Sequence, residues 1–373
     1  METCRQVYNS LLNWHKHDYE VHGKTVSRYQ MNGAFPKWRK EFPEIADVHS
    51  QVLQNTSLRV ELAFSAFFRR AKAGEKPGFP RVKGDGYGSF CFPGASVGYA
   101  VVNGGLRLSK ITEKSSTIKM CLHRPLVGKV KTCCIHRVGP KWFACFSVEQ
   151  DDDFPPPSEE AVGLDAGLSS FLALSDGTFI DNPRFFRKEE KALAKAGRKQ
   201  AKTEKRSKEC RKANKVLSRI HERVRNRRHN FVHQTARRLV NRFGVIAVEK
   251  LNVKGMVTPI TPKNRCLAKS ISDASWSMFR SILTSKAESA GREVIAVNPA
   301  HTSQDCHACG YRAKKKLGER WHHCPMCSAS LDRDTNAAIN ILALGLSSST
   351  RNLAGITSSQ VTPVEALGSS HGE

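Results

Sequence analysis

The sequence predicts a multidomain α+β protein in which a helical segment and a strand-rich segment precede an α/β core interrupted by a small cysteine ribbon. Three observations carry that expectation. The chain has 373 residues, enough for two or three domains of about 100 to 200 residues each, and its 39% hydrophobic content supports a packed core. The acidic, proline-rich run Asp151-Asp152-Asp153-Phe154-Pro155-Pro156-Pro157 separates two stretches of different texture and reads as a linker over 151–158. Late in the chain, two Cys-x-x-Cys pairs stand apart from the scattered remaining cysteines.

In order along the chain, residues 5–73 carry a helical pattern, with Val48, Val52, Leu62 and Ala66 at spacings that recur on one helix face. Gly74 stops it after Arg69-Arg70. Residues 78–150 read as strands. Asn103-Gly104 marks one hairpin, because both residues tolerate the positive φ of a tight turn, and Gly139-Pro140 marks a second. After the linker, Val162–Leu164 and Phe171–Leu174 look like neighbouring strands, with Asp176-Gly177 turning into a third, and strands resume at Val245–Val248 and Val294–Val297. Between them, residues 184–228 hold nineteen Lys and Arg against five acids. Leu217, Ile220, Val224 and Phe231 still mark one apolar face, so a basic amphipathic helix or helical pair is expected over 184–240. The serine-, threonine- and glycine-rich residues 347–373 read as a disordered tail.

Charge narrows the partner. Sixty Lys and Arg against 34 Asp and Glu leave a net charge of +26, an excess that points to a polyanion. Candidate phosphate contacts are Arg69, Arg70, Arg81 and Lys83 in the first half. In the second they are Lys195, Arg198, Lys199, Lys205, Arg206, Arg223, Arg227 and Arg228. The start Met1-Glu2-Thr3-Cys4 shows no signal peptide, and no run approaches the ~20 apolar residues that span a bilayer. Twelve cysteines without a regular disulfide framework fit a reduced, cytoplasmic setting. Cys91, Cys121, Cys145, Cys210 and Cys266 are expected to be ordinary small apolar residues.

Three acids suggest chemistry. Asp165 follows Val162-Gly163-Leu164 and is bracketed by Gly163 and Gly167, while Glu249 follows Val245-Ile246-Ala247-Val248 directly. An acid at the end of a buried strand is costly unless a cation neutralises it. Asp334 opens a helical segment, where it could instead be an ordinary N-cap. Together they describe an RNase H-like centre in which two strand-borne acids and one helix-borne acid hold divalent ions, oxygen-only ligands favouring magnesium or manganese. No GxxxxGK[ST] loop occurs, so coupling to a nucleoside triphosphate is not indicated.

The cysteine pairs Cys306/Cys309 and Cys324/Cys327 are separated by fourteen residues. Two such knuckles complete a closed, structural zinc site, with His307, His322 and His323 as surplus donors, and the ribbon spans 301–330. Folding it should help place Asp334 at the start of a final helix over 331–346.

These segments resemble the OrfB/TnpB family of insertion-sequence proteins, relatives of the compact type V CRISPR effectors. The matching stretches are GLDAG at 163–167, VEKLNVKGM at 248–256, LAKSISDASW at 267–276, TSQDCHACG at 302–310, CPMC at 324–327 and DRDTNAAINI at 332–341. Upstream, VYNSLLNW at 7–14, LQNTSLRVELAFSAFF at 53–68 and EKPGFPRVK at 75–83 also match, in the family's order over nearly the whole chain. The resemblance implies an RNA-guided DNA endonuclease with Asp165, Glu249 and Asp334 as RuvC catalytic acids within 159–300 and 331–346. Asp332 would be a neighbour outside the triad. It further implies a wedge-type β-barrel over 78–150 with the 5–73 helices as a recognition lobe. The partners would be a non-coding guide RNA, which reads target DNA by pairing while the protein reads shape, with the heteroduplex on the basic helices. Family members usually begin with a strand and helix ahead of the segment matching Cys4–Asn9, so a barrel edge is expected to be exposed here.

Three other functions fit parts of the pattern. A catalytically silent RNA-guided DNA-binding regulator would have no use for the three acids. A DNA transposase shares acidic triads, but no end-binding helix-turn-helix is evident. A basic zinc-ribbon RNA-binding protein leaves Asp165 and Glu249 unexplained.

Overall fold

The computed structural model describes residues 1–84, 86–111, 116–150, 156, 158–258, 262–315 and 318–349, with the backbone alone at 262–266. Most of the expected linker and nearly all of the expected tail therefore lie outside the described residues. The chain divides into two compact units, Met1–Asp152 and Asp153–Glu373.

The first unit begins with four helices, α1 (Glu2–His22), α2 (Arg28–Glu41), α3 (Pro43–Ala46) and α4 (Ser50–Lys72). Local chemistry sets their ends. Gly23 takes φ 67° and closes α1 through its N–H to the Tyr19 carbonyl, and a Ser27/Gln30 capping box opens α2. Val7, Tyr8, Leu11 and Leu12 of α1 bury against Met31 and Phe35 of α2 and Leu53, Val60 and Phe64 of α4. One expectation fails here. Leu62 is 57% exposed, and the buried face of α4 runs instead through Val52, Leu53, Thr56, Ser57, Val60 and Phe64. Ten residues separate Val52 from Leu62, which at 3.6 residues per turn rotates Leu62 away from that face.

Among the described residues six strands follow: β1 (Ser89–Phe92), β2 (Tyr99–Val102), β3 (Gly105–Leu108), β4 (Ile118–Lys119), β5 (Lys129–Val138) and β6 (Lys141–Glu149). They form two three-stranded sheets, in orders β1-β5-β6 and β2-β3-β4. Both expected hairpins are present. Asn103 and Gly104 take φ 49° and 71° between paired Val102 and Gly105, and Gly139-Pro140 joins paired Val138 and Lys141. Cys91, expected as an ordinary apolar residue, lies directly opposite Cys134 and is disulfide-bonded to it. Direct cross-strand neighbours hold their Cβ atoms about 5 Å apart, a juxtaposition that a sequence separation of 43 hides.

The second unit is built on β7 (Ala161–Ala166), β8 (Ser170–Leu174), β9 (Phe179–Asp181), β10 (Val245–Glu249) and β11 (Glu293–Val297). The sheet order is β11-β10-β7-β8-β9. The first three strands form an antiparallel meander, while β10 and β11 run parallel to β7. Parallel neighbours need long crossovers, and helices supply them: α5 (Phe185–Ala201) and α6 (Lys208–Arg242) before β10, then α7 (Val253–Val257), α8 (Pro262–Ala274) and α9 (Trp276–Glu288) before β11. A short hairpin, β12 (Trp321–His323) and β13 (Ser330–Asp332), precedes the last helix, α10 (Arg333–Ser348).

Alternation along the strands sorts side chains between two faces. Val162 and Leu164 of β7 and Ile246 and Val248 of β10 enter one core with α6 and α9, including Ala236, Leu239, Phe279 and Leu283. The opposite face is covered by α10, where Ile341 packs on Ala247 and Val297. Gly163 makes that approach possible, because an added Cβ would overlap the Ala338 carbonyl oxygen.

The basic segment is a helical pair. Helix α6 is 35 residues long, about 50 Å, and only its C-terminal part packs beneath the sheet. The remainder pairs with α5 through a narrow seam that buries Leu193, Ala213, Ile220 and Val224, with Leu217 and Phe231 only half-buried. Asp273 of α8 ties the pair down. Its carboxylate, 3% exposed, accepts from the Phe186 N–H (2.9 Å) at the first turn of α5 and from Arg228 of α6 (2.8 Å). Among the described residues, no helix is long and apolar enough to cross a membrane.

Candidate metal and nucleic-acid site

The same alternation aims the acids. Residues 163 and 165 of β7, and 247 and 249 of β10, face α10. The pairs Ala247↔Gly163 and Val248↔Leu164 then leave Asp165 and Glu249 side by side at the C-terminal ends of two parallel strands. The two carboxyls are close enough to share a proton when one of them is protonated. Thr302 Oγ1 lies 3.3 Å from Glu249 Oε1 and 3.2 Å from the Pro299 carbonyl, and can donate to either.

Asp334 comes to the same end of the sheet on the first turn of α10. It is not the N-cap. Asp332 occupies that position, accepting from the N–H groups of Asp334 (2.8 Å) and Thr335 (3.2 Å). Capping by Asp332 leaves the Asp334 carboxylate free of the backbone, 3.6 Å from Arg320, whose other nitrogen donates to Ser169 Oγ at 2.7 Å. Asp332 thus has a role the sequence did not disclose, and it explains why two aspartates stand so close together.

Burial dominates the electrostatics. It raises Asp165 well above the ordinary carboxylate range, and the charges of Glu249 and Asp334 raise it further. Burial also raises Glu249, to about 7, although donors from Thr302, Asp165 and Ala166 pull the other way. Asp334 is raised by burial and then by Asp332, with Arg320 and Arg333 opposing.

Those shifts fix the sign of a pH effect on stability. Folded values above the unfolded ones mean that protonated carboxyls stabilise the metal-free fold below about pH 4.5. That contribution is lost as pH rises through about 7 for Glu249. Asp165→Asn removes one buried charge and relieves its neighbour. In zinc-replete, magnesium-free buffer at pH 8 it should melt some 5 to 10 °C above the parent, on the order of 2 to 3 kcal/mol, with the gap closing by about pH 4.5. Calorimetry showing no gain at pH 8 would mean that the two carboxylates do not repel in the folded chain.

The cysteine ribbon assembles as expected. The sulfurs of Cys306, Cys309, Cys324 and Cys327 all lie within 4.8 Å of one another, and the set could hold a metal ion. Each knuckle closes the same way. The N–H of Gly310 donates to the Cys306 carbonyl and that of Ser328 to the Cys324 carbonyl, with both residues at positive φ. Burial pushes the Cys324 thiol up, but the N–H groups of Cys327 and Met326 and the thiols of Cys309 and Cys327 outweigh it and bring it down to about 6, while Cys327 in the same cluster is pushed up to about 12.

Two asparagines that the sequence did not single out bolt the first knuckle to α10. Asn336 Oδ1 accepts from the His307 N–H (3.1 Å), while its Nδ2 donates to the Asp305 carbonyl (2.8 Å). One turn later, Asn340 donates to the Thr302 and Asp305 carbonyls, each at 2.8 Å. The ribbon therefore fixes both the start of α10 and the loop bearing Thr302. Both asparagines lie within DRDTNAAINI, where their polarity inside an apolar helical run was the available signal.

The basic candidates divide. Lys195, Arg198, Lys199, Lys205 and Arg206 are exposed on α5 and the turn after it. Arg223 and Arg227 both pair with Glu189 at 3.2 Å, and Arg228 is held by buried Asp273, so these three also brace the helical pair. In the first unit Arg69, Arg70 and Arg81 are exposed, and the Lys83 ammonium sits 5.2 Å from the centre of the Tyr8 ring.

Comparison with known proteins gives the arrangement a family. Residues 145–259 match the OrfB_IS605 model, described as "Probable transposase", and residues 276–341 match the Cas12f1-like TNB domain. A Streptomyces pristinaespiralis protein named "Putative RNA-guided DNA endonuclease" is 33% identical, covering 92% of this chain and 84% of its own length. "Putative RNA-guided DNA endonuclease InsQ" of Escherichia coli K12 is 30% identical, over 92% of this chain and 86% of that protein. The fold matches that of a Cas12f1–sgRNA–target DNA complex with a TM-score of 0.57 at 15% identity, covering 91% of this chain and 80% of that one. On two nearly full-length relatives and two family models matched in sequence order, the chain belongs to the OrfB/TnpB family of insertion-sequence proteins.

Proposed function

We propose that this chain is an RNA-guided DNA endonuclease of a transposable element, cutting guide-matched DNA by metal-dependent phosphodiester hydrolysis in a RuvC-type, RNase H-like core. The observation that carries the proposal is the convergence of Asp165, Glu249 and Asp334 at one end of a sheet ordered β11-β10-β7-β8-β9, in a chain of net charge +26. A non-enzymatic nucleic-acid binder gains nothing from three half-buried acids brought together.

The donor set fits a hard divalent cation. It offers oxygen ligands only, and the charge repulsion among them is what a cation relieves. Asp165, Glu249 and Asp334 would hold magnesium or manganese, which when bound activates water and stabilises the departing oxygen of a phosphodiester. The chain's own groups keep this site in register. Thr302 orients Glu249, Asp332 holds the α10 backbone so that Asp334 stays free, and Arg320 screens Asp334 from the rim. Zinc in the four-cysteine ribbon would order the segment that carries Thr302 and the start of α10. In the first unit, the strands would form the wedge barrel and the helices the recognition lobe.

The α5/α6 pair is the proposed seat of the guide–target duplex. Reversing Lys195, Arg198, Lys199, Lys205 and Arg206 to glutamate should weaken duplex binding and flatten the slope of log affinity against log salt. The slope should fall by roughly 0.9 for each phosphate no longer neutralised. An unchanged slope would place those residues in solvent.

The nuclease assignment is tested by purifying the chain from cells that also transcribe the DNA flanking its gene. Bound RNA is sequenced, and magnesium-dependent cutting of a plasmid library matched to that RNA is measured. Guide-dependent cuts are expected; bound RNA without cutting would favour a silent binder, and no bound RNA would overturn the guided mechanism.

A further inference from the structure

The C-terminal end of α4 forms an aromatic shelf that the nuclease site does not use. After Lys72 the chain reverses: Gly74 takes φ 68° and the Glu75 N–H donates to the Arg70 carbonyl at 3.0 Å. Phe79 returns to the helix, its ring centre 5.6 Å from Phe64 and 5.4 Å from Phe67, and Phe67 meets Phe68 at 5.3 Å. All three contacts are edge-to-face, the preferred geometry for aromatic pairs. The inner ring completes the helical core, with Phe64 only 5% exposed. The outer ones do not: Phe68 is 38% and Phe79 is 47% exposed.

A loop that merely anchored itself would bury both rings. Here Phe67 holds them from behind and leaves their outer surfaces to solvent, while Pro77 and Pro80 stiffen the segment that carries Phe79. The surrounding charge is one-sided. Arg69, Arg70, Lys72, Lys76 and Arg81 are all exposed, and Glu75 is the single acid between 69 and 84.

We propose that this shelf is a stacking platform for unpaired nucleobases of a single nucleic-acid strand, with the five flanking cations on its phosphates. The site rests on the nucleic-acid reading above and adds to it a location and a state of the ligand. Bases inside a duplex have both faces covered by their neighbours, so only an unpaired stretch or frayed end can offer a face to Phe68 and Phe79. Every base has such a face, so RNA and DNA single strands share the chemistry.

Full-length chain is titrated with fluorescent 12-nucleotide single-stranded RNA, single-stranded DNA of the same sequence, and the corresponding duplex. Phe68→Ala with Phe79→Ala should weaken single-strand binding about tenfold or more, leave duplex binding within twofold, and keep the salt slope. Arg69→Gln with Arg70→Gln should instead lower that slope by about 1.4. Phe68→Trp with Phe79→Trp, which preserves the platform, should bind single strands at least as well as the parent. A loss confined to RNA assigns the shelf to the guide, and a loss confined to DNA assigns it to a displaced strand. Unchanged single-strand affinity in the alanine variant, equal losses on duplex and single strand, or failure of the tryptophan variant to bind would overturn the platform. The Asp165→Ala chain serves as the control. It should bind single strands like the parent, so a failed platform and a failed nuclease assignment give different results.

Discussion

Asp165→Ala should lower guide-dependent DNA cutting by on the order of 10³-fold or more while guide RNA and target binding stay within a few-fold of the parent. The size follows from what the carboxylate does. In the proposed site it would supply one of three oxygen donors to a cation worth several kcal/mol in the transition state, and ~4 kcal/mol corresponds to about 10³ in rate. The sparing of binding follows from position. Asp165 lies at the end of a sheet strand under α10, whereas the exposed cations proposed to hold nucleic acid lie on α5 and at the end of α4. Glu249→Ala should behave alike, since register makes the two acids neighbours. Single-turnover cleavage assays beside anisotropy titrations separate the two effects. Equal losses in binding and cutting would make these acids structural.

Cys309→Ser, or removal of zinc by a strong chelator, should collapse the ribbon and then the nuclease site. Closed four-thiolate sites contribute on the order of 10 kcal/mol to the folding of the segments they hold, and this ribbon has little apolar core of its own. Its collapse would release the backbone carbonyls of Thr302 and Asp305 from Asn336 and Asn340, loosening the start of α10 and with it Asp334. The expected results are zinc content near zero, faster amide exchange at the start of α10, and loss of cutting without any change to the three acids. A zinc-replete, fully active Cys309→Ser chain would show that the thiolate is dispensable. The effect should differ from that of Asp165→Asn, which is expected to raise the melting temperature in magnesium-free, zinc-replete buffer at pH 8 and to leave the ribbon intact.

Much of this protein was legible without coordinates because the signals were local. Strands at 161–166 and 245–249 announce themselves as short apolar runs, Asn103-Gly104 and Gly139-Pro140 as turns, and each Cys-x-x-Cys pair as a knuckle. Each depends on residues no more than a few positions apart, within the reach of backbone hydrogen bonds and φ preferences. Alternation along a strand also aims Asp165 and Gly163 at one face and Val162 and Leu164 at the other, once one face is known to be buried.

What tertiary structure decided involves partners distant in sequence. Arg228 meets Asp273, 45 residues away, and the same carboxylate caps α5. Thr302 meets Glu249 across 53 residues, and Cys91 meets Cys134 across 43. Leu62 left the apolar face because α1 and α2 pack on the side defined by Leu53 and Val60. The choice between Asp332 and Asp334 turned on a single residue. Either acid could cap a helix by type, and only the path of the chain leaving β13 made Asp332 the cap and left Asp334 with the other acids. Composition and spacing specify which groups are available. Which of them meet is set by the packing of helices on two faces of one sheet, where each contact excludes its alternatives.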